Sequence, residues 1–166
     1  MGERIMVEQI MQRMIEESSG DVRGISHFLK VYGYARQIGL MEGCDPKTQQ
    51  TVEMAAILHD MACPLCREKY GHAHGWIQEI EGGPMAEAFL EDFDLPQETK
   101  DRLVYLVSHH HTFNRVDGLD HQILLEADFL VNADEGHCST SSIRAMEERV
   151  FKTETGKKLL RSMYLS

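Results

Sequence analysis

The dipeptide His59-Asp60 sits in a 166-residue chain that also carries His27 upstream, the run His109-His110-His111 downstream, and Asp128 inside the apolar stretch 123–131. Neutral imidazole and carboxylate together suit a divalent transition metal. A metal held by such groups lowers the pKa of a bound water from about 15.7 to about 7, so these residue types point to hydrolysis at neutral pH.

Helical spacing says which way these groups face. Val52, Ala55, Ala56 and His59 share one face, which turns His59 toward the core with Asp60 beside it at the helix end. A single histidine on an apolar stripe is ordinarily a satisfied core residue. The adjoining Asp changes that balance, because a buried ionised carboxylate needs a partner or a metal. Asp128 is the sharper anomaly, sharing its stripe with Leu124, Leu125 and Val131. A carboxylate there costs several kcal/mol unless it is paired, by an ion pair or by metal ligation. His110 lies with Leu103, Leu106 and Val107, and His27 shares a mixed face with Val31, Tyr34 and Ile38. Neighbours on a helix are about 100° apart, so at most two of the three consecutive histidines reach one site. Polar groups on apolar stripes of four separate helices make the kind of constellation with which bundles hold metals.

The elements that must position these residues are helical, and the class expected is all-α. The spacing predicts helices over 3–18, about 25–40, from Pro46 to about 61, near 84–93, and from the Asp94-Leu95-Pro96 opening to about 111. Further helices are expected near 119–134, 140–151 and 156–164. Asp45-Pro46 reads as N-cap and first helical residue. Segment 62–83, with Pro64, Gly71, Gly75, Gly82 and Gly83, reads as a long loop with a helical turn. No composition shift or repeat divides the chain, so one domain over 1–166 is expected.

Composition sets the surroundings. A hydrophobic fraction of 42% and a charged fraction of 27% are ordinary for a globular domain. The net charge of −10 argues against an extended nucleic-acid or membrane surface, though not against a small anionic substrate beside a dication. No apolar run has signal-peptide or bilayer length, and the expected location is cytoplasmic. Cys44, Cys63, Cys66 and Cys138 fit reduced thiols there. Cys63-Pro64-Leu65-Cys66 lacks the strand-to-helix context of a redox dithiol and reads as incidental. His121 shares the Asp128 stripe and could support a ligand from behind. A homodimer is compatible with a small helical domain.

With His27, His59-Asp60 and Asp128 in this order, the chain resembles the HD-domain superfamily of metal-dependent phosphohydrolases, a compact helical bundle. The matching motifs are Ala-Ile-Leu-His-Asp at 56–60, His-His-His-Thr at 109–112 and Glu-Ala-Asp-Phe-Leu-Val-Asn at 126–132, within a core of about 25–135. The resemblance implies a first metal on His27, His59, Asp60 and Asp128. In binuclear members Asp60 would bridge, and a histidine pair, best matched here by His110 and His111, would help to hold a second ion. Such members often carry a further histidine where this chain has Glu81, ahead of Gly82-Gly83-Pro84. Glu81 is therefore expected as a replacement ligand or as a general acid or base, with Asp60 as the other catalytic carboxylate.

The implied cofactor is one or two ions of manganese, iron, cobalt, nickel or zinc, and the implied reaction is hydrolysis of a nucleotide or other small phosphorylated metabolite through a metal-bound hydroxide. Arg67, Lys69 and Arg115 lie near the motifs and could hold phosphate, although solvated surface charge is the simpler reading. The alternatives are a non-catalytic HD module that binds a nucleotide or a protein, and an HD-fold di-iron oxygenase.

Overall fold

The computed structural model describes residues 2–166, with side chains from Ile5 onward. Among these residues run nine helices and no strand, so the fold is all-α. They are α1 (Gly2–Glu17), α2 (Val22–Met41), α3 (Pro46–Leu58), α4 (Cys63–Tyr70), α5 (Gly75–Leu90), α6 (Gln97–His109), α7 (Gly118–Glu135), α8 (Thr140–Arg149) and α9 (Glu154–Tyr164).

Helix α3 is the axis of the bundle. Every residue from Thr51 to Leu58 is buried, because α1, α2, α6 and α7 pack around it. A helix covered on all sides must be apolar all round or pair its polar groups. Glu53 does the latter, accepting from Arg36 at 2.6 Å and from Gln49 at 3.1 Å. The helix starts as its sequence dictates, with Pro46 in the first turn and Asp45 Oδ1 accepting from the Thr48 N–H at 3.0 Å. At the α1–α2 corner Gly20 takes φ of +88°, a conformation that glycine adopts without strain. Asp21 then caps α2 by accepting from the Gly24 N–H. The core joins these helices through Ile10, Ile38, Ile57, Leu58, Leu103, Leu106, Leu124 and Leu125, each buried to 1% exposure or less.

Segment 62–83 differs from its expected loop. It holds α4 and most of α5, and α5 continues through Gly82, Gly83 and Pro84 instead of beginning there. The glycines are in the helix because of what faces them. A Cβ on Gly82 would lie 2.8 Å from Val107 Cγ1, and one on Gly83 would lie 2.5 Å from Ser108 Oγ. Their bare backbone lets α5 lie close against α6, and the packing gained there overrides poor helix propensity.

Past α7 the chain folds back over it. Glu126, wholly buried on α7, accepts from the backbone N–H of Lys152 and Thr153, the Thr153 hydroxyl and the Gln122 amide. That carboxylate fixes the turn into α9.

Candidate metal centre

Helices α3 and α6 both stop at a histidine, and the way they stop aims the ring. His59 and His110 are the C-caps of these helices. His59 Nδ1 donates to the Ala56 carbonyl and His110 Nδ1 to the Val107 carbonyl, each at 2.7 Å. These bonds satisfy carbonyls that the helix end leaves without a partner. They also fix each neutral tautomer with its Nε2 lone pair pointing away from the helix. His27, one turn into α2, is held the same way by Glu135, which takes its Nδ1 at 2.9 Å.

The freed atoms converge. His27 Nε2 lies 3.2 Å from His59 Nε2, 3.0 Å from Asp60 Oδ2 and 3.2 Å from Asp128 Oδ1. His59 Nε2 lies 3.2 Å from Asp128 Oδ1 and 3.5 Å from Asp60 Oδ1. All four residues offer a ligand atom within 4.8 Å of the others. Two imidazole lone pairs and two carboxylates that face one another require positive charge between them. Spacings of 3.0–3.5 Å are the edges expected of a polyhedron with metal–ligand bonds of about 2.0–2.2 Å. The two-nitrogen, two-oxygen set thus fits a divalent transition metal.

In a metal-free centre protons supply that charge. Burial opposes a charged His27, but hydrogen bonds to Asp128 and Asp60 outweigh it and lift its pKa to about 11. His59 is also raised: the charges of Asp60 and Asp128 exceed the cost of burial. Against their own burial, the same histidines hold Asp60 and Asp128 below the usual carboxylate range.

Asp60 belongs to a second group as well, with His110 and His111. Its Oδ2 addresses His27, while its Oδ1 lies 3.3 Å from His110 Nε2. Burial holds His111 down to about 4, so it is a lone-pair donor at neutral pH. His109 turns away, donating Nδ1 to the Tyr105 carbonyl and stacking on that ring. Of the three consecutive histidines, the structure therefore brings the latter two to Asp60.

Glu81 is not brought to the cluster. Its carboxylate accepts from Lys69 at 2.8 Å and from the Tyr70 hydroxyl at 2.5 Å, on the α4–α5 side. The cause is the helical course of α5, which puts Gln78, one turn earlier, against the centre. Gln78 Oε1 lies 3.1 Å from His110 Nε2 and 3.2 Å from His111 Nε2, while its amide nitrogen is fixed by the Ala73 carbonyl at 2.6 Å. Behind the pair, Glu79 accepts from the His111 N–H and the Thr112 hydroxyl. His121, wholly buried, donates to the His109 carbonyl and accepts from the Asp117 N–H, tying the end of α6 to the start of α7.

The centre opens on a cleft of about 480 Å³ whose wall includes His27, Asp60, Gln78, His111, Asn132 and Glu135. Cys63 and Arg67 also line it, whereas Cys66 packs with Ala62 and Ile77. All four cysteines are free, and burial pushes the Cys63 and Cys66 thiols up, away from a reactive thiolate. Lys69 is engaged by Glu81, and Arg115 is exposed and outside the cleft wall. Sequence reasoning missed Glu135, Gln78 and Arg23, the last of which also lines the cleft. Glu135 had a signal, since it lies two turns beyond Asp128 on the same stripe; Gln78 was hidden in the segment read as loop.

Four helix-borne or helix-ending segments that meet in a histidine–carboxylate centre define the class: an all-α bundle with a cluster able to hold a metal. Within it the chain belongs to the HD-domain family, whose model matches residues 24–137. The fold is similar to the crystal structure of a "predicted HD superfamily hydrolase" from an uncultured Thermotogales bacterium, with a TM-score of 0.66 and 24% identity. That match covers 96% of this chain and 83% of the other. No curated protein matches the chain. Among the described residues, no helix is long and apolar enough to cross a membrane.

Proposed function

We propose that the protein is a metal-dependent phosphohydrolase acting on a nucleotide or other small phosphorylated metabolite. The observation that carries this reading is the convergence of four lone-pair atoms on one point at the wall of an open cleft, with Asp60 shared by a second set of donors. His27, His59, Asp60 and Asp128 would hold the metal; Asp60, His110 and His111 offer places for a second ion. A bound divalent metal supplies a water of lowered pKa and polarises phosphoryl oxygens.

The chain's own residues do the rest. The Asp60 side chain is 28% exposed, against 9% or less for His27, His59 and Asp128, so it is the most accessible member of the cluster. Ionised at neutral pH, it can accept a hydrogen bond from the attacking water and orient it in line with phosphorus. Phosphoryl transfer asks mainly for this positioning and charge stabilisation.

The test is elemental analysis of protein purified without chelator, beside Asp60→Asn, followed by a phosphate-ester panel with the metal found. One to two equivalents of metal in the wild type are expected, with a fall in the variant and turnover of at least one ester that the variant loses. A wild type that takes up no metal on reconstitution would instead indicate a binding module, and iron-specific oxygen consumption would indicate an oxygenase.

A further inference from the structure

We propose that the cleft carries a second anion subsite, built by Arg23 and Arg67, which selects phosphate esters bearing another anionic group, a carboxylate or a second phosphate, on the same molecule. The proposal rests on the phosphate-ester reading of the metal centre and narrows its substrate class.

Both arginines line the cleft that exposes His27 and Asp60. Arg23 precedes His27 by one turn on the same face of α2, and Arg67 follows Cys63 by one turn on α4. Four helical residues rise about 6 Å, so each guanidinium is rooted one turn from a residue at or beside the centre. They line the cleft from different helices.

Both are exposed, and among the described residues neither is ion-paired. Neighbouring cations differ: Lys69 is held by Glu81 and Lys30 by Glu135. The carboxylates of the cleft wall are already engaged. Asp21 caps α2, Glu135 takes His27 and Lys30, and Asp60 belongs to the cluster. Asp21 keeps its negative charge as a cap, but two unpaired arginines outweigh it, so this rim is net positive in a chain whose net charge is −10. Guanidinium groups match carboxylate and phosphate in bidentate geometry. The scissile phosphate belongs at the metal centre, so the arginines are available to a second anion. Met61 and Pro64, both accessible, also line the cleft and offer the carbon skeleton apolar surface.

Phosphonates are not cleaved, so their affinity reads the subsite independently of turnover. Titration calorimetry of the metal-containing protein would compare propylphosphonate, with one anionic head, against 3-phosphonopropionate and propane-1,3-bisphosphonate, with two. At least one two-headed ligand is expected to bind tenfold or more tightly than propylphosphonate, and which one does so distinguishes a carboxylate from a second phosphate. In the double variant Arg23→Gln/Arg67→Gln that ratio should fall to within about twofold, since tenfold corresponds to about 1.4 kcal/mol of contact. A ratio cancels any general loss of folded or metal-loaded protein. A wild-type ratio near one, a ratio that survives in the double variant, or failure of all three to bind would overturn the subsite. If phosphate esters are nonetheless hydrolysed, the phosphohydrolase reading stands without it; if none is, that reading falls separately.

Discussion

Asp60 faces two groups of donors at once, and its environment shows what such a carboxylate requires. Each histidine it meets is fixed from behind, His59 and His110 by helix-end carbonyls and His27 by Glu135. Carboxylates behind metal-ligating histidines typically contribute 10–100-fold in affinity. Glu135→Gln is therefore expected to weaken metal binding by about that factor while the fold stays intact, as read by competition with a chromophoric chelator and by circular dichroism. The protonation of His27 gives a second expectation. Its pKa is about 11 in the folded metal-free protein against an ordinary value of 6.5. That difference stabilises the metal-free fold fully below pH 6.5 and is lost as the pH climbs toward 11. Urea unfolding of the metal-free protein should thus show lower stability at pH 10 than at pH 6, with a flatter profile in His27→Asn. Metal uptake must expel the same proton, so affinity should rise with pH across this interval. His27, His59, Asp60 and Asp128 were legible because a polar group on an apolar stripe stays there only if a partner or a metal holds it. Glu81 was misleading, because its neighbours Lys69 and Tyr70 become apparent only once α4 and α5 are helices.

The pairing of α5 with α6 shows where reading the chain fails. A Gly-Gly-Pro triplet signals a break by local propensity, yet here it lies inside a helix because two missing Cβ atoms permit contact with Val107 and Ser108. That reason is tertiary and leaves no periodic trace. Outside segment 62–83 the helices were readable, since their stripes were regular and a cap such as Asp45 acted locally; Asp21, which starts α2 some three residues earlier than the spacing suggested, was not read as a cap. The close contact yields a test. Gly82→Ala puts a methyl group 2.8 Å from Val107 Cγ1 and should cost about 1–3 kcal/mol, although alanine is the better helix former. Because Gln78 rides on the same helix, the variant should also disturb His110 and His111, which nuclear magnetic resonance of the imidazole nitrogens would detect. An unchanged or raised melting temperature would show that α5 yields without strain.

Across the whole molecule, residues far apart in sequence share one core, and Glu126 joins α7 to the end of the chain. Gly156 lies so close that a Cβ there would fall 1.8 Å from Glu126 Oε1. Gly156→Ala must displace either α9 or a buried carboxylate and should cost about 3 kcal/mol or more. For a chain of this size that is a fall of about 10 °C in melting temperature, measurable by calorimetry. The same contact couples two distant stretches of the chain. Glu126 and Asp128 lie on one helical turn, but the backbone donors of Lys152 and Thr153 follow some two dozen residues later. Without those donors Gln122 alone would meet the buried carboxylate, so seating α7 and docking the turn into α9 belong to one cooperative step. The helix that carries Asp128 thus borrows part of its stability from a segment that touches none of the four clustered side chains.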